Sequence, residues 1–189
     1  MTRLASRTLS VRHRAGFTLI EIMVTVAVLA IVLAVAVPAF GTLIRSSRLT
    51  SDANELVAAL QLARSEAVRQ NSLVAVCRSD NGSTCAAGGA WTQFITVVVR
   101  SGQVLRVNRI RAGMIVDGSP SLNSLSDRVA FSPDGLARAS NGSPLNGKLS
   151  VCLATASPAQ NNRNIVISNG SRVSVERTAG ATCSAPADS

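Results

Sequence analysis

The N-terminal part of the chain contains an apolar run long enough to cross a lipid bilayer. Between Phe17 and Val37, only Thr18, Glu21 and Thr25 are polar. As a helix that rises about 1.5 Å per residue, the run would span about 30 Å, the thickness of the hydrocarbon core of a membrane. A carboxylate in such a segment is costly, so Glu21 requires a specific explanation.

Three interpretations of this run differ in the role they give to Glu21. A secretory signal peptide would be cleaved after AVA or VPA near residues 36–39, but the run is longer than a usual signal-peptide core and an acid inside that core is unusual. A generic membrane anchor would have no use for Glu21, which would make insertion of the helix less favourable by up to a few kcal/mol. The third interpretation, in which the acid takes part in assembly, depends on the residues just before the run.

The basic residues are unevenly placed along the chain. The formal net charge is +9, and four of the nineteen basic side chains lie in the first sixteen residues, where there is no acid: Arg3, Arg7, Arg12 and Arg14. A basic flank of this kind marks the cytoplasmic side of a membrane segment. The smaller excess that remains after residue 16 permits a polyanionic partner without requiring one.

All four cysteines, Cys77, Cys85, Cys152 and Cys183, lie beyond the apolar run. If the basic flank stays inside, they lie on the outer, oxidising side of the membrane, where an even count favours two disulfides. Three pairings are open from the sequence, and the spacing favours Cys77–Cys85 and Cys152–Cys183. A zinc site is disfavoured because no CxxC pair is present and the single histidine, His13, precedes the run.

Residues 42–71 are predicted to continue as an amphipathic helix. The apolar positions recur at spacings of three and four residues, the period of a helix with one buried face: Leu49, Ala53, Leu56, Val57, Leu60, Ala63, Ala67 and Val68. The other face is expected to be solvated and carries Arg45, Arg48, Asp52, Glu55, Arg64 and Arg69. Pro38 predicts a kink or local melting, because proline removes a backbone donor and clashes with the carbonyl of Ala34.

After residue 71, short β-branched runs alternate with clusters of Gly, Pro, Ser and Asn, which predicts strands joined by turns. The expected strands are Leu73–Arg78, Trp91–Arg100, Gln103–Arg111, Met114–Val116, Arg128–Phe131, Lys148–Leu153, Asn164–Ser168 and Arg172–Arg177. RSGQ at residues 100–103 predicts a tight hairpin turn, and residues 118–126 and 157–163 are expected to be polar loops. The predicted fold class is α+β, with a long N-terminal helix packed on a C-terminal antiparallel sheet.

The letters GFTLIE at residues 16–21, after a short basic leader, resemble the class III signal of type IV pilins and pseudopilins. The resemblance implies that a prepilin peptidase cleaves between Gly16 and Phe17, that the new N-terminus at Phe17 is methylated, and that Glu21 acts in assembly with other pilins or pseudopilins. Glu21 lies about one helical turn after Phe17. Its carboxylate can therefore face the cationic amine of a neighbouring subunit, which leaves neither charge unpaired in an apolar bundle.

Later segments are similar to the branch that unites the type II secretion minor pseudopilin H with the FimT-type minor pilins. The similarity lies in SRLTSDANELVAALQLARSEAVRQNSLVAVCRS, in the loop CRSDNGSTC followed by W, in VAFSPDGLA and in CLATASPAQNNRNIVISNGSRVSV. It implies a single-pass protein of the bacterial inner membrane, with a leader at residues 1–16, an assembly helix at 17–40 and a periplasmic domain at 41–189. That domain comprises the helix at 42–71 and a β-rich part at 72–189, and its helix and cysteine features favour the FimT side.

Catalytic machinery is hard to build from this composition. Beyond the leader there is no histidine, and the chain has no tyrosine, so Ser-His and Cys-His pairs are excluded there. Four of the acids stand in contexts typical of turns: Asp80, Asp117, Asp127 and Asp134. We therefore expect no enzymatic activity, no cofactor and no metal.

The last predicted hairpin carries the candidates for nucleic-acid binding. The resemblance to FimT-type pilins implies DNA binding through a G-R-x-R motif. The matching stretch here is NGSRVSVER. Aligned on VIS, the glycine of the motif falls on Ser171, its first arginine on Arg172 and its second on Ser174, so one arginine is missing. Arg177 and Arg163 are the other candidates for contacts to the phosphates of double-stranded DNA, which would be independent of base sequence and sensitive to salt.

Three functions remain open at this point. The chain could be a structural minor pilin that primes or caps a type IV pilus, a pilus-borne DNA receptor in natural transformation, or a pseudopilin of a type II secretion system. The alternative for the arginines of the last hairpin is that they are exposed strand residues without a ligand.

Overall fold

The structure is a computed structural model that describes residues 16–180 and 182–188. Apart from Gly16, the predicted leader lies outside the described residues. The elements are α1 (Leu19–Gln70), β1 (Val74–Arg78), β2 (Gln93–Val98), β3 (Gln103–Arg109), β4 (Met114–Gly118), α2 (Pro120–Asn123), β5 (Arg128–Phe131), β6 (Gly147–Leu153), β7 (Asn162–Ser168) and β8 (Arg172–Thr178). The chain divides into two compact units, one that ends at Phe40 and one that begins at Gly41.

The first unit is the apolar part of α1. Its side chains are exposed on all sides, and α1 is long and apolar enough to cross a membrane. The helix continues through Pro38 without interruption, so of the two predicted alternatives, a kink or local melting, the local melting does not occur. A helix in apolar surroundings keeps its remaining backbone hydrogen bonds because exposed peptide groups would be expensive.

In the second unit, one face of α1 is buried as predicted. Its buried residues are Leu49, Asp52, Ala53, Leu56, Ala59, Leu60, Ala63 and Ala67. Two expectations were wrong. Val68 is exposed, because Ala67 takes the inward position of the last turn, and Asp52 is buried beside Ala53 rather than solvated.

The strands are antiparallel, as predicted, and they form two sheets, a division that was not predicted. The first sheet has the order β3-β2-β1-β5 and the second has the order β4-β6-β7-β8. Every predicted strand is present, with each end within two residues of its predicted position. Side chains of both sheets meet α1 in one hydrophobic core that includes Leu60, Phe94, Phe131, Leu149 and Ile165.

The turns and loops follow the predicted chemistry with two exceptions. RSGQ closes the β2–β3 hairpin, where Gly102 has φ of +70°. In VAFSPDGLA, the amide of Gly135 donates to the carbonyl of Ser132 at 2.8 Å and completes a tight turn after β5. However, residues 118–126 contain the short helix α2, and β7 begins inside the predicted loop at 157–163.

Two disulfides are present, Cys77–Cys85 and Cys152–Cys183, which are the pairs that the spacing favoured. The first closes the loop after β1, and the second attaches the C-terminal segment to β6. That segment has another contact, because the amide of Ser121 donates to the carboxylate of Asp188 at 3.1 Å. The C-terminal segment is therefore held at two points.

Candidate functional site

The start of α1 combines a helix cap with the acid of the apolar run. The amide of Glu21 donates to the hydroxyl of Thr18 at 3.3 Å and lies 3.2 Å from the carbonyl oxygen of the same residue. Thr18 thus caps the helix, and Glu21 stands three residues later, where a capping box carries its acid. The sequence signal for this cap, a threonine followed by an acid at the third position, was present in TLIE but was not recognised.

This position also suits the charge of Glu21. A carboxylate in the first turn of a helix is stabilised by the positive end of the helix dipole. Phe17 immediately precedes the cap, and its side chain is 77% exposed. The first unit therefore presents a charged, capped helix start followed by an uncovered apolar helix, a surface that requires lipid or other helices to cover it.

The tip of the β7–β8 hairpin is held firmly against the rest of the second unit. Residues 169–171 form the loop of this hairpin, and Asn169 and Gly170 both have positive φ. The amide of Ala137 donates to the carbonyl of Gly170 at 2.7 Å, and the amide of Gly170 donates to the carbonyl of Leu145 at 2.8 Å. The start of β8, where Arg172 is the first residue, is therefore fixed in position.

The three arginines proposed for DNA binding do not form one cluster. Arg172 and Arg177 are exposed on β8, which is an edge strand of the second sheet. They lie on opposite faces of that strand, since they are an odd number of positions, five, apart along it. Arg163 is only 2% exposed, so its assignment as a phosphate contact was wrong.

Arg163 instead joins β7 to α1. Its guanidinium donates to the carbonyls of Gln160 and Asn162 at 2.9 and 3.0 Å and reaches the hydroxyls of Thr50 and Ser46, both at 3.4 Å. No carboxylate pairs with it within the described ranges. Burial, together with the positive charge of Arg177, lowers the pKa of Arg163. Sequence reasoning missed this role because Arg163 was placed in a loop.

No group of three or more His, Cys, Asp or Glu side chains that could hold a metal occurs within residues 16–180 and 182–188. The candidate sites among the described residues are therefore the start of α1 and the exposed arginines of β8.

Comparisons with known proteins agree with this architecture. Residues 52–171 match the model of the family described as type II transport protein GspH, and residues 11–37 match the prokaryotic N-terminal methylation motif. No curated protein matches the chain significantly.

Two crystal structures of the type IV minor pilin FimU from Pseudomonas aeruginosa, in different space groups, have a similar fold. The first is 22% identical, has a TM-score of 0.52 and is matched over 72% of this chain and 97% of its own. The second is 21% identical, has a TM-score of 0.50 and is matched over 70% of this chain and 99% of its own. At these identities the likeness confirms the predicted α+β pilin-like fold.

The N-terminal methylation motif identifies proteins that are processed by a prepilin peptidase and assemble with related subunits. The residues that match the GspH family model make up more than half of the chain. They include the C-terminal part of α1 and strands of both sheets. This chain belongs to the GspH family of type IV pilin-like minor pilins and pseudopilins.

Proposed function

We propose that this chain is a minor pilin that a prepilin peptidase cleaves between Gly16 and Phe17 and that then primes or joins a type IV pilus. Residues 1–16 act as the leader, 17–40 as the membrane and assembly helix, and 41–189 as a periplasmic domain. Before assembly, the chain is a single-pass protein of the bacterial inner membrane. The methylation motif, the apolar helix and the disulfides of the second unit support this division. The observation that carries the proposal is the capped start of α1 with Glu21 in its first turn.

Assembly uses the charge of Glu21. Cleavage exposes an ammonium group at Phe17, which is unfavourable beside the positive end of a helix. In a bundle of apolar helices, Glu21 of one subunit neutralises the ammonium group of the next subunit. This pairing sets the axial register of the subunits.

The test has two parts and uses the full chain in the bacterium that encodes it. N-terminal sequencing should find a methylated Phe17, and any other start contradicts the processing site. Glu21→Gln should reduce incorporation into sheared surface filaments at least tenfold, whereas Thr25→Val, a change at another polar position of the same helix, should not. Equal incorporation of both variants would exclude the charge pairing.

The same fractionation separates the pilus from the alternative, a type II secretion pseudopilus. A pilus subunit should be recovered in long surface filaments. A secretion pseudopilin should instead be absent from them, and its loss should block export of a folded periplasmic protein. The second outcome would replace the pilus assignment but would leave the Glu21 pairing intact.

DNA uptake is a second candidate function, favoured by the exposed position of Arg172 and Arg177 on an edge strand. Glu176 has Lys148 as a partner at 3.9 Å, and neither Arg172 nor Arg177 forms an ion pair within the described part of the chain. Both guanidinium groups are therefore available to phosphates. Because they lie on opposite strand faces, the duplex would lie along the edge of β8.

Duplex DNA titrated onto the full chain in detergent tests this function at two salt concentrations. Arg172→Gln and Arg177→Gln should each weaken binding and should each reduce the slope of log affinity against log salt by about 1. Arg100→Gln, at the β2–β3 turn, is the matched control and should leave affinity unchanged. Absence of binding at low salt, or equal loss in the control, would leave only the structural role.

A further inference from the structure

One edge of the second sheet is formed by β8, a strand of seven residues that pairs with β7 on one side only. The ladder with β7 is regular from Arg172 to Thr178, without a shift of register. Apart from that ladder, no hydrogen bond reaches the backbone of residues 172–178 within the described ranges. β8 therefore presents a row of unpaired backbone N–H and C=O groups, to which a further strand can be added.

The other three edges of the two sheets are less suited to such pairing. β5 has four residues and β4 has five, so both are short. β3 is as long as β8, but its register against β2 shifts between Thr96 and Val97, and an irregularity of this kind turns an edge away from a partner. β8 contains neither a proline nor a register shift, so it is the least protected edge among the described strands.

The side chains of β8 carry a pattern that is complementary to itself. Arg172 and Glu176 are exposed on one face, two positions before and two positions after Ser174. Val173 and Val175 lie on the other face, one position before and one position after it. When a second β8 runs antiparallel with Ser174 opposite Ser174, each Arg172 lies opposite Glu176 of the other copy. Each valine then lies opposite the other valine, and both kinds of cross-strand pair are stabilising.

Other registers lack this complementarity. A parallel pair in register places Arg172 beside Arg172, and like charges in that position are destabilising. An antiparallel strand can slide only by two residues at a time, because its backbone groups alternate. Such a slide puts Val173 or Val175 opposite itself and leaves Arg172 opposite Ser174 or Thr178. The charges of β8 therefore favour one register.

The neighbours of β8 are compatible with this arrangement. Lys148 of β6 lies 3.9 Å from Glu176, whose side chain remains 53% exposed and can accept a second charged partner. Arg177 would lie opposite Ser171 and would meet no like charge. Val175, which is 41% exposed, would be covered by a valine of the other copy.

We propose that β8 pairs antiparallel with β8 of a second copy of this chain, about a two-fold axis at Ser174. The second sheets of the two copies then form one continuous sheet. Since a single edge is a small interface, the pair is weak and depends on concentration. A two-fold contact is closed and cannot continue along a filament, so the pair is a state of the chain outside one. The same edge is the candidate surface for duplex DNA, and the two occupants exclude each other.

The first experiment uses cysteine cross-linking of the full chain in nonionic detergent, with micelles in excess and nucleic acid removed by nuclease. In Ser174→Cys, opposite Cα atoms lie about 4.5–5.5 Å apart, which is within the range that a disulfide bridges. Ser101→Cys, in the exposed β2–β3 turn, is the matched control because it keeps the same apolar helix. Under mild oxidation, we expect at least tenfold more covalent dimer for Ser174→Cys on a non-reducing gel.

The second experiment exchanges the charges in the Ser174→Cys chain. Arg172→Glu and Glu176→Arg should each reduce the covalent dimer about tenfold, because each places two like-charged pairs in the contact. An equimolar mixture of these two variants should recover the dimer, since every substituted position then meets the opposite charge on the other variant. Thermal unfolding of each variant in the same detergent checks that it is folded.

Three outcomes would overturn the proposal. Equal cross-linking of Ser174→Cys and Ser101→Cys would show that the copies meet only through the micelle or the apolar helix. Failure of the mixture to recover the dimer would exclude the register about Ser174. Cross-linking that disappears after nuclease treatment would show that DNA joins the copies instead. Because pairing in detergent needs neither cleavage nor filaments, its failure is distinguishable from failure of the pilin assignment.

Discussion

Arg111 and Asp52 form an ion pair of 2.8 Å between the segment after β3 and the buried face of α1. The side chain of Asp52 is 2% exposed and that of Arg111 is 44% exposed. Burial raises the pKa of Asp52, Arg111 opposes this effect, and the negative charge of Glu55 adds to it. The pair therefore links two elements, although the carboxylate is more readily protonated in the folded chain than in water.

The raised pKa of Asp52 predicts an unusual pH dependence. The folded state binds this proton more tightly than the unfolded state, so the contribution of Asp52 to stability is present at low pH and is lost as the pH rises through its folded pKa. We expect the stability of Asp52→Asn to increase relative to that of the unaltered chain as the pH rises above the ordinary aspartate pKa of 3.8. Denaturant unfolding at increasing pH measures the difference.

Asp134 provides a control, because its contribution to stability should change with pH in the opposite direction. The amide of Leu136 and the side chain of Arg138 lower the pKa of Asp134. Its contribution to stability is therefore present above its ordinary pKa and is lost as the pH falls through the folded value. Asp134→Asn should reduce the loss of stability in acid, and parallel curves for both variants and the unaltered chain would contradict these assignments.

Gly170, in the β7–β8 hairpin, is predicted to tolerate substitution less well than Gly142, which lies between β5 and β6. The φ of Gly170 is +67°, and a Cβ at this position would lie 2.3 Å from the carbonyl oxygen of Ala137. Gly142 also has a positive φ, +83°, but a Cβ there would meet no atom within 4 Å beyond its chain neighbours. Gly142→Ala should cost about 1–2 kcal/mol and Gly170→Ala at least about 2 kcal/mol more. Equal free energies of unfolding would exclude the close approach to Ala137.

Leu60 and Val68 test the difference between periodicity and burial. Both belong to the apolar stripe of α1, but Leu60 is 0% exposed and Val68 is 55% exposed. Leu60→Ala should destabilise the second unit by about 2–5 kcal/mol, because it leaves a cavity in the core. Val68→Ala should stay within about 0.5 kcal/mol of the unaltered chain, as is usual for surface substitutions. A large loss for Val68→Ala would indicate that its side chain is covered.

The two disulfides should differ in their contribution to stability. Their cysteines are 31 and 8 residues apart, for Cys152–Cys183 and Cys77–Cys85 respectively. The longer loop constrains the unfolded chain more, so paired alanine substitutions should cost about 3–4 kcal/mol at Cys152–Cys183 and about 2–3 kcal/mol at Cys77–Cys85. Chemical denaturation of each double variant measures this order, and the reverse order would contradict it.

The predictions from sequence succeeded where local pattern controls structure. The stripe from Leu49 to Ala67 reports the period of a helix with one buried face, and the strand runs alternate with turn residues whose backbone preferences are local. The turn at Gly102 is also encoded within a few residues, and so is the capped start at Thr18, although that cap was not predicted. These features need no information about the rest of the chain.

The assignments of individual polar residues were less reliable. Asp52 was expected to be solvated and Arg163 to contact DNA, yet both are buried. Asp52 is adjacent in sequence to the apolar stripe, and Arg111 reaches it from 59 residues away. Arg163 is buried because Ser46 and Thr50 of α1 lie against it. Neither partner can be identified from the local sequence.

The amino-acid sequence by itself determined the apolar run with its acid and the order of the helix and strands. The spacing of the cysteines also favoured the two disulfide pairs that the structure contains. Only the tertiary structure decided that the strands divide into two sheets and that Arg163 faces α1. The reason is physical: secondary structure follows from periodicity within about ten residues, whereas burial and charge balance depend on which distant segments pack together.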